Sequence, residues 1–160
     1  MPGVIVNMIV DLAGVDFATP DEPILLAAAG VDLINRQGVS PDDFDWIKST
    51  FGGKWPDEAA VSWNWLAHLP VGTAGFAAYG QRTFKWWWLE NWWDRPEVGI
   101  FGPMGVHRDL RGMHMGAVLA RRALASMQAI GYTQALIPGA GPIEFYERHC
   151  GARVVERLTR

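Results

Sequence analysis

Val106-His107-Arg108-Asp109-Leu110-Arg111-Gly112-Met113-His114-Met115-Gly116-Ala117 leads without interruption into a helical pattern and follows a stretch with strand character. A strand ending in a basic, glycine-containing loop that opens a helix is what a pyrophosphate site requires. The first backbone N–H groups of such a helix have no partner inside it, and they carry the positive end of its dipole. An anion satisfies both needs. Gly112 and Gly116 would let the main chain approach a ligand with no Cβ in the way, and Arg111 adds a fixed positive charge. The stretch therefore points to a phosphorylated cofactor. Neither of the commonest phosphate loops is present, since there is no G-x-G-x-x-G and no G-x-x-x-x-G-K followed by Ser or Thr.

The loop resembles the acetyl-CoA signature of the GNAT superfamily of N-acetyltransferases. That signature reads Arg or Gln, two free positions, Gly, one free position, then Gly or Ala; here it is Arg111, Gly112-Met113, His114, Met115, Gly116. Gly99 to Val106 is similar to the family's fourth strand, and Ile143-Glu144-Phe145-Tyr146-Glu147-Arg148 to its Tyr-containing last helix. His114 departs from the pattern by replacing a glycine, although its backbone N–H is kept. The resemblance is clearest over residues 98 to 155. It implies one N-acetyltransferase-like domain over residues 1–160, an α/β (α+β) fold with a mixed, largely antiparallel sheet flanked by helices and splayed central strands. It further implies acetyl-CoA as cofactor, with CoA as product, held by Met104, Gly105, Val106, Arg111, Gly112, Met113, His114, Met115, Gly116 and Ala117.

Composition agrees. A chain of 160 residues is one domain's worth, and 49% hydrophobic residues suffice for a core. The net charge of −3, with no basic stripe, argues against a nucleic-acid surface. Met1 to Asp11 is apolar but short, lacks a basic leader and shows no cleavage pattern, so neither a signal peptide nor a membrane span is expected, and a cytoplasmic protein is. The single Cys150 excludes an internal disulfide, and no Cys/His spacing suggests a zinc site.

Along the chain, Val4 to Leu12 reads as a strand and Asp21-Glu22-Pro23 as the start of a helix through Ile24 to Asn35, stopped by Gly38. Ser40-Pro41-Asp42-Asp43 offers a capped start to a second helix. Gly52-Gly53 and Pro56-Asp57 mark a loop before a hairpin of Ala60 to Leu69 and Thr73 to Tyr79. In the next strand, Gly99 to Val106, the residues Gly102, Pro103 and Gly105 suit a bulge or a splayed edge better than a regular central strand. Leu119, Ala123, Met127 and Ile130 share one helix face, Arg121, Arg122 and Gln128 look outward, and Gly131 ends the helix. Tyr132 to Ile137 then forms a strand parallel to the previous one. Pro142 opens a helix that stops at Gly151, before a last strand at Ala152 to Leu158.

The resembled mechanism has an amine attack the thioester carbonyl directly, with a backbone N–H near Met104 to Val106 stabilising the oxygen. Tyr146 matches the family's proton donor: a tyrosine with a pKa of about 10 gives its proton to a thiolate of about 8.5 at little cost. Packing on the sheet, with its hydroxyl bonded to a carbonyl, is the alternative for this residue. Tyr79 and Tyr132 read as packing residues. Glu90, Asp94, Glu97 and His107 border the expected acceptor side, and none stands out as a base. The run Lys85-Trp86-Trp87-Trp88-Leu89-Glu90-Asn91-Trp92-Trp93-Asp94-Arg95 cannot turn every ring toward one core if extended. Its rings have three competing fates: a cover over the sheet, a contact in a homodimer, or a wall of the acceptor pocket. If they line the pocket, the acceptor has a flat or sugar-like body, and Trp87 and Trp92 are the positions to test. Three functions compete: transfer of an acetyl group to a primary amine of a small molecule, CoA binding without catalysis in a sensor or regulatory domain, and a tryptophan-rich module for a protein or carbohydrate.

Overall fold

The computed structural model describes residues 3–159. Seven strands form one sheet: β1 (Ile5–Asp11), β2 (Asp32–Gln37), β3 (Trp63–Leu69), β4 (Gly72–Tyr79), β5 (Val98–Val106), β6 (Gln134–Ile137) and β7 (Arg153–Leu158). Their order across the sheet is β2-β3-β4-β5-β6-β1-β7. Every pair is antiparallel except β5 and β6, which run parallel and are joined by a helix, α4 (Met115–Ile130). The mixed sheet expected from the sequence is present, and so is the splay. β5 pairs with β6 only from Val98 to Ile100, whereas its pairing with β4 continues to Val106. Gly102, with φ of 109°, lies where β5 turns away from β6, in a conformation that favours glycine.

Alternation along the strands gives the sheet two apolar faces. On one, Met8, Val10, Ala77, Phe101 and Ala135 pack against α1 (Glu22–Ala29), α4 and α5 (Ile143–Cys150). On the other, Leu66, Phe76 and Ala78 meet α2 (Pro41–Phe51) and α3 (Trp55–Ala60), while Ile9, Ile100 and Leu136 meet the 3-10 helix at Trp87–Trp92. The N-terminal strand is nearly all buried because it lies between β6 and β7, inside the sheet rather than at an edge.

Ser40 caps α2 as expected, and Asp43 completes a reciprocal capping box. The Asp43 carboxylate is buried and also accepts from Thr73 Oγ1 at 2.6 Å and pairs with His68 Nε2 at 2.9 Å. Burial pushes its carboxyl up, but the hydrogen bonds from Thr73, His68 and Ser40 outweigh that and hold it below the usual range.

Four expectations are corrected. The first helix ends at Ala29, because Gly30 adopts φ of 66° and caps it, and Asp32–Gln37 is instead β2, paired with β3. Ala60 is not the start of a strand: Trp55–Ala60 is α3, with Pro56 and the acids Asp57 and Glu58 in its first turn, and β3 begins at Trp63. Ile130 is exposed, while Leu119, Ala123 and Met127 are buried as expected. Arg121, Arg122 and Gln128 do not simply face solvent. Arg121 donates to the carbonyls of Asp16, Phe17, Ala18 and His149, Arg122 pairs with Glu22 at 2.6 Å, and Gln128 donates to the carbonyls of Leu12 and Val15. Together they tie the segment after β1 onto α4.

Candidate functional site

The loop after β5 presents its backbone. Arg111 N–H donates to Arg108 O and Met113 N–H to Leu110 O, whereas the N–H groups of Gly112, His114, Met115, Gly116 and Ala117 have no acceptor among the described residues. Five free donors at the positive end of a sixteen-residue helix form an anion cradle. The Arg111 guanidinium is exposed beside it, with no ion pair among the described residues. His114 adopts φ of 66°, so the chain keeps here the left-handed turn that a glycine would supply. A cavity of about 320 Å³ over this cradle is lined by Arg111, Gly112, His114, Met115, Gly116 and Ala117. The Met115 side chain is fully buried beneath it in the core. Burial, then the charges of Arg148, His114 and Arg121, lower the pKa of His149, which also lines this cavity.

Val106, Arg111, Gly116 and Phe145 also line a larger cavity of about 730 Å³, which enters the gap where β5 leaves β6. His107 N–H donates to Ala74 O at 2.7 Å. Main-chain groups alternate in direction along an antiparallel strand, so those of Val106 and Met104 point away from β4, into the gap. Both residues line the cavity and Gly105 does not. A Cβ on Gly105 would lie 2.2 Å from the Phe51 ring, so this glycine lets α2 pack on the sheet. Gly116 differs, since a Cβ there would meet the Phe145 ring at 3.4 Å and Met104 Cε at 3.9 Å, both ordinary contacts. Met113 lines neither cavity.

Tyr146 stands on α5 at the wall of the gap, its ring edge-on to Phe101 and Phe145. Its hydroxyl makes no hydrogen bond with any described residue, so the carbonyl contact of a plain packing tyrosine is absent. Burial, with a smaller contribution from Cys150, raises its pKa, so it holds its proton throughout the neutral range. One turn on, burial pushes the Cys150 thiol up to about 12. A thiolate is therefore disfavoured in this environment too.

The far end of the cavity, on the α3 side of the sheet, is lined by Trp55, Glu58, Gln81, Trp86, Trp88 and Leu89. Sequence reasoning misses Glu58, because α3 reads as loop and strand, and it misses Gln81, because no local pattern marks the turn after β4 as part of a cavity. Glu58 Oε1 accepts from Trp86 Nε1 at 2.7 Å, and burial raises the carboxyl's pKa against the opposing effect of that bond. Phe84, Trp86 and Trp88 stack in series, with centroids 5.6 and 5.1 Å apart. The tryptophan run divides. Leu89 and Trp92 cover the sheet at Ile9 and Ile100, while Trp86 and Trp88, rather than Trp87 and Trp92, wall the cavity. Buried Asn7 on β1 fixes two walls at once, donating to Trp88 O at 2.8 Å and accepting from Gly139 N–H at 3.1 Å. Glu156 on β7 accepts from Asn7, Asn91 and Trp92. Glu90, Asp94 and Glu97 are exposed, and none of them, nor His107, lines the cavity.

No protein-family model matches the sequence, and no curated protein matches it either. Solved structures do match. The glucosamine N-acetyltransferase region of a fungal multi-domain beta-N-acetylglucosaminidase superposes with a TM-score of 0.73 at 12% identity, over 98% of this chain and 20% of that one. A putative GNAT-family acetyltransferase from Novosphingobium aromaticivorans gives 0.63 at 17% identity, over 99% and 63%. A tandem GNAT protein of the clavulanic acid biosynthesis pathway gives 0.65 at 14% identity, over 99% and 52%. The chain has the GNAT fold, and it spans between a fifth and just under two thirds of the length of these proteins.

Proposed function

We propose that this chain is an acetyl-CoA-dependent N-acetyltransferase acting in the cytoplasm on the primary amine of a small molecule. The observation that carries the reading is continuity: the cradle of free N–H groups opens into the gap between β5 and β6, where the unpartnered Tyr146 hydroxyl is met. The cradle and Arg111 suit a pyrophosphate, and the gap suits an extended arm with its reacting end beside Tyr146. When bound, acetyl-CoA supplies an activated thioester and a thiolate leaving group. The Val106 N–H donates toward the gap, where an oxygen gaining charge would be stabilised. Tyr146 holds a proton at Oη for the departing sulfur. Burial keeps Tyr146 protonated through the neutral range, so its proton is in place for the leaving group.

Tyrosine fluorescence is overshadowed by nine tryptophans, which makes tryptophan quenching the direct assay of coenzyme binding. Acetyl-CoA and CoA are expected to bind in the micromolar range with ATP far weaker, and thiol release with an amine library then measures turnover. Tyr146→Phe should lower turnover about a hundredfold or more, the usual range for loss of a general acid being roughly 10²–10⁴-fold, while leaving CoA affinity nearly constant. Equal turnover in the variant would remove Tyr146 from the chemistry, and absence of CoA binding would end the transferase reading altogether.

A further inference from the structure

Glu58 is a half-buried carboxylate facing an aromatic cavity, with no ion pair among the described residues. One oxygen is occupied by the Trp86 indole N–H, and Oε2 has no partner among the described residues. No Lys, Arg or His among the described residues pairs with it. Arg111, the one cationic side chain among the described residues that line the same cavity, lies at the loop end beside the free N–H groups. A carboxylate taken from water without a counter-charge is costly, and a ligand cation relieves that cost. Burial accordingly holds the Glu58 carboxyl above its ordinary 4.5 in the ligand-free chain.

The surroundings restrict what that cation can be attached to. Around Glu58 the walls are Trp55, Trp86, Trp88 and Leu89, and the other polar side chain is Gln81. The Gln81 Oε1 accepts from the Phe84 N–H at 2.9 Å, which leaves its NH2 and the oxygen's second lone pair to offer. An amino sugar would bring several hydroxyls into this end with a single side-chain amide to meet them. Each hydroxyl left unpaired loses the hydrogen bonds it made to water. A ring with no hydroxyls loses nothing here and gains the contact area of the indoles.

We propose, resting on the acetyl-transfer reading, that the acceptor is an arylalkylamine, its ammonium held by Glu58 Oε2 and its ring packed against Trp86 and Trp88, and that amino sugars are poor ligands. Over the reaction the ammonium nitrogen loses two protons. One passes to the Glu58 carboxylate and then to water, freeing the lone pair that forms the N–C bond. The other leaves as that bond is completed and returns through water to Tyr146 Oη, replacing the proton Tyr146 delivers to sulfur when the C–S bond breaks.

The test is calorimetric titration of the full chain, with CoA in excess, by 2-phenylethylamine, 2-phenylethanol and glucosamine. The amine should bind at least tenfold more tightly than either comparison. In Glu58→Gln, which retains an oxygen for the Trp86 N–H, the advantage of the amine over the alcohol should vanish while CoA affinity stays unchanged. Glucosamine binding as tightly as 2-phenylethylamine would overturn the proposal, as would an amine advantage that survives in the variant. The ligand series on the unaltered protein decides the matter even if the variant does not fold. The two readings also fail separately: 2-phenylethylamine bound in this pattern but never acetylated refutes the transferase, whereas glucosamine acetylated in preference to 2-phenylethylamine refutes only the substrate class.

Discussion

The two ends of the large cavity are built from different materials. At the loop end the ligand-facing groups are mostly backbone N–H, donated by five residues within the six positions Gly112 to Ala117. At the tryptophan end they are side chains, brought together from α3, from the turn after β4 and from the 3-10 segment. Backbone donors survive a change of side chain, which is why His114 can stand where the family signature has glycine. Side-chain walls have no such tolerance: Glu58 both faces the cavity and supports its neighbour, by accepting from the Trp86 N–H.

Two glycines give the sharpest way to break this comparison. Gly105 and Gly116 both fall within the expected coenzyme segment, yet only Gly116 faces the cavity. Gly105→Ala would drive a methyl into the Phe51 ring, with a Cβ contact of 2.2 Å. Overpacking of this kind costs about 1–3 kcal/mol and occasionally more. Chemical denaturation should show a loss at the upper end of that range, with coenzyme affinity intact in the molecules that remain folded. Gly116→Ala, whose Cβ meets Phe145 at an ordinary 3.4 Å, should keep the unfolding midpoint and weaken CoA binding instead. Similar losses of stability in both variants would erase the distinction between a packing glycine and a ligand-facing one.

The same contrast explains what could be read from the sequence. The loop end is contiguous, and its anion chemistry follows from a strand, a turn and a helix start, so Arg111 through Ala117 were visible together. Gly105 was grouped with them because sequence proximity cannot show that one face of β5 looks at Phe51 and the other face at α4 and α5. The tryptophan end needs three segments to meet, and one of them, α3, was hidden by Gly52-Gly53 and Pro56-Asp57, which are as typical of a loop as of a short helix start. Asn7 was less visible still. Its strand was legible from its β-branched residues, but no local pattern reveals that the chain's first strand inserts between β6 and β7 and so brings Asn7 to Trp88 and Gly139. The tryptophan run cannot turn all its rings to one core, and the structure divides them between the sheet and the cavity.

Arg111→Ala sharpens the comparison from the loop side with a smaller effect on the protein and a clear one on the ligand. The guanidinium is exposed and holds no partner among the described residues, so stability should not change. A charge-assisted hydrogen bond to phosphate contributes about 1.5–3 kcal/mol, which corresponds to a tenfold to hundredfold rise in the Kd of CoA. Binding of 2-phenylethylamine at the other end should be untouched. A parallel loss of amine affinity would mean that the two ends are not independent, and an unchanged CoA affinity would move the phosphates elsewhere.

The smallest effect expected is at His114, and its size is the point. A residue with a Cβ in the left-handed region bears a cost of roughly 1–2 kcal/mol, of which the short polar types recover part through local contacts. Glycine removes that cost, but it also enlarges the conformational freedom of the unfolded chain, worth about 0.4–1 kcal/mol in the opposite direction. His114→Gly should therefore leave stability within about 0.5 kcal/mol of the original, by cancellation of these two contributions. It should leave CoA affinity unchanged as well, because the donor at this position is the N–H and both residues supply it. His114→Ala separates the contributions, since it retains the Cβ and so the strain without the imidazole. If binding depends on the backbone alone, the alanine and glycine variants bind CoA alike. A marked loss in both would instead make the imidazole a ligand in its own right, and the loop end would then share the dependence on side chains that distinguishes the tryptophan end.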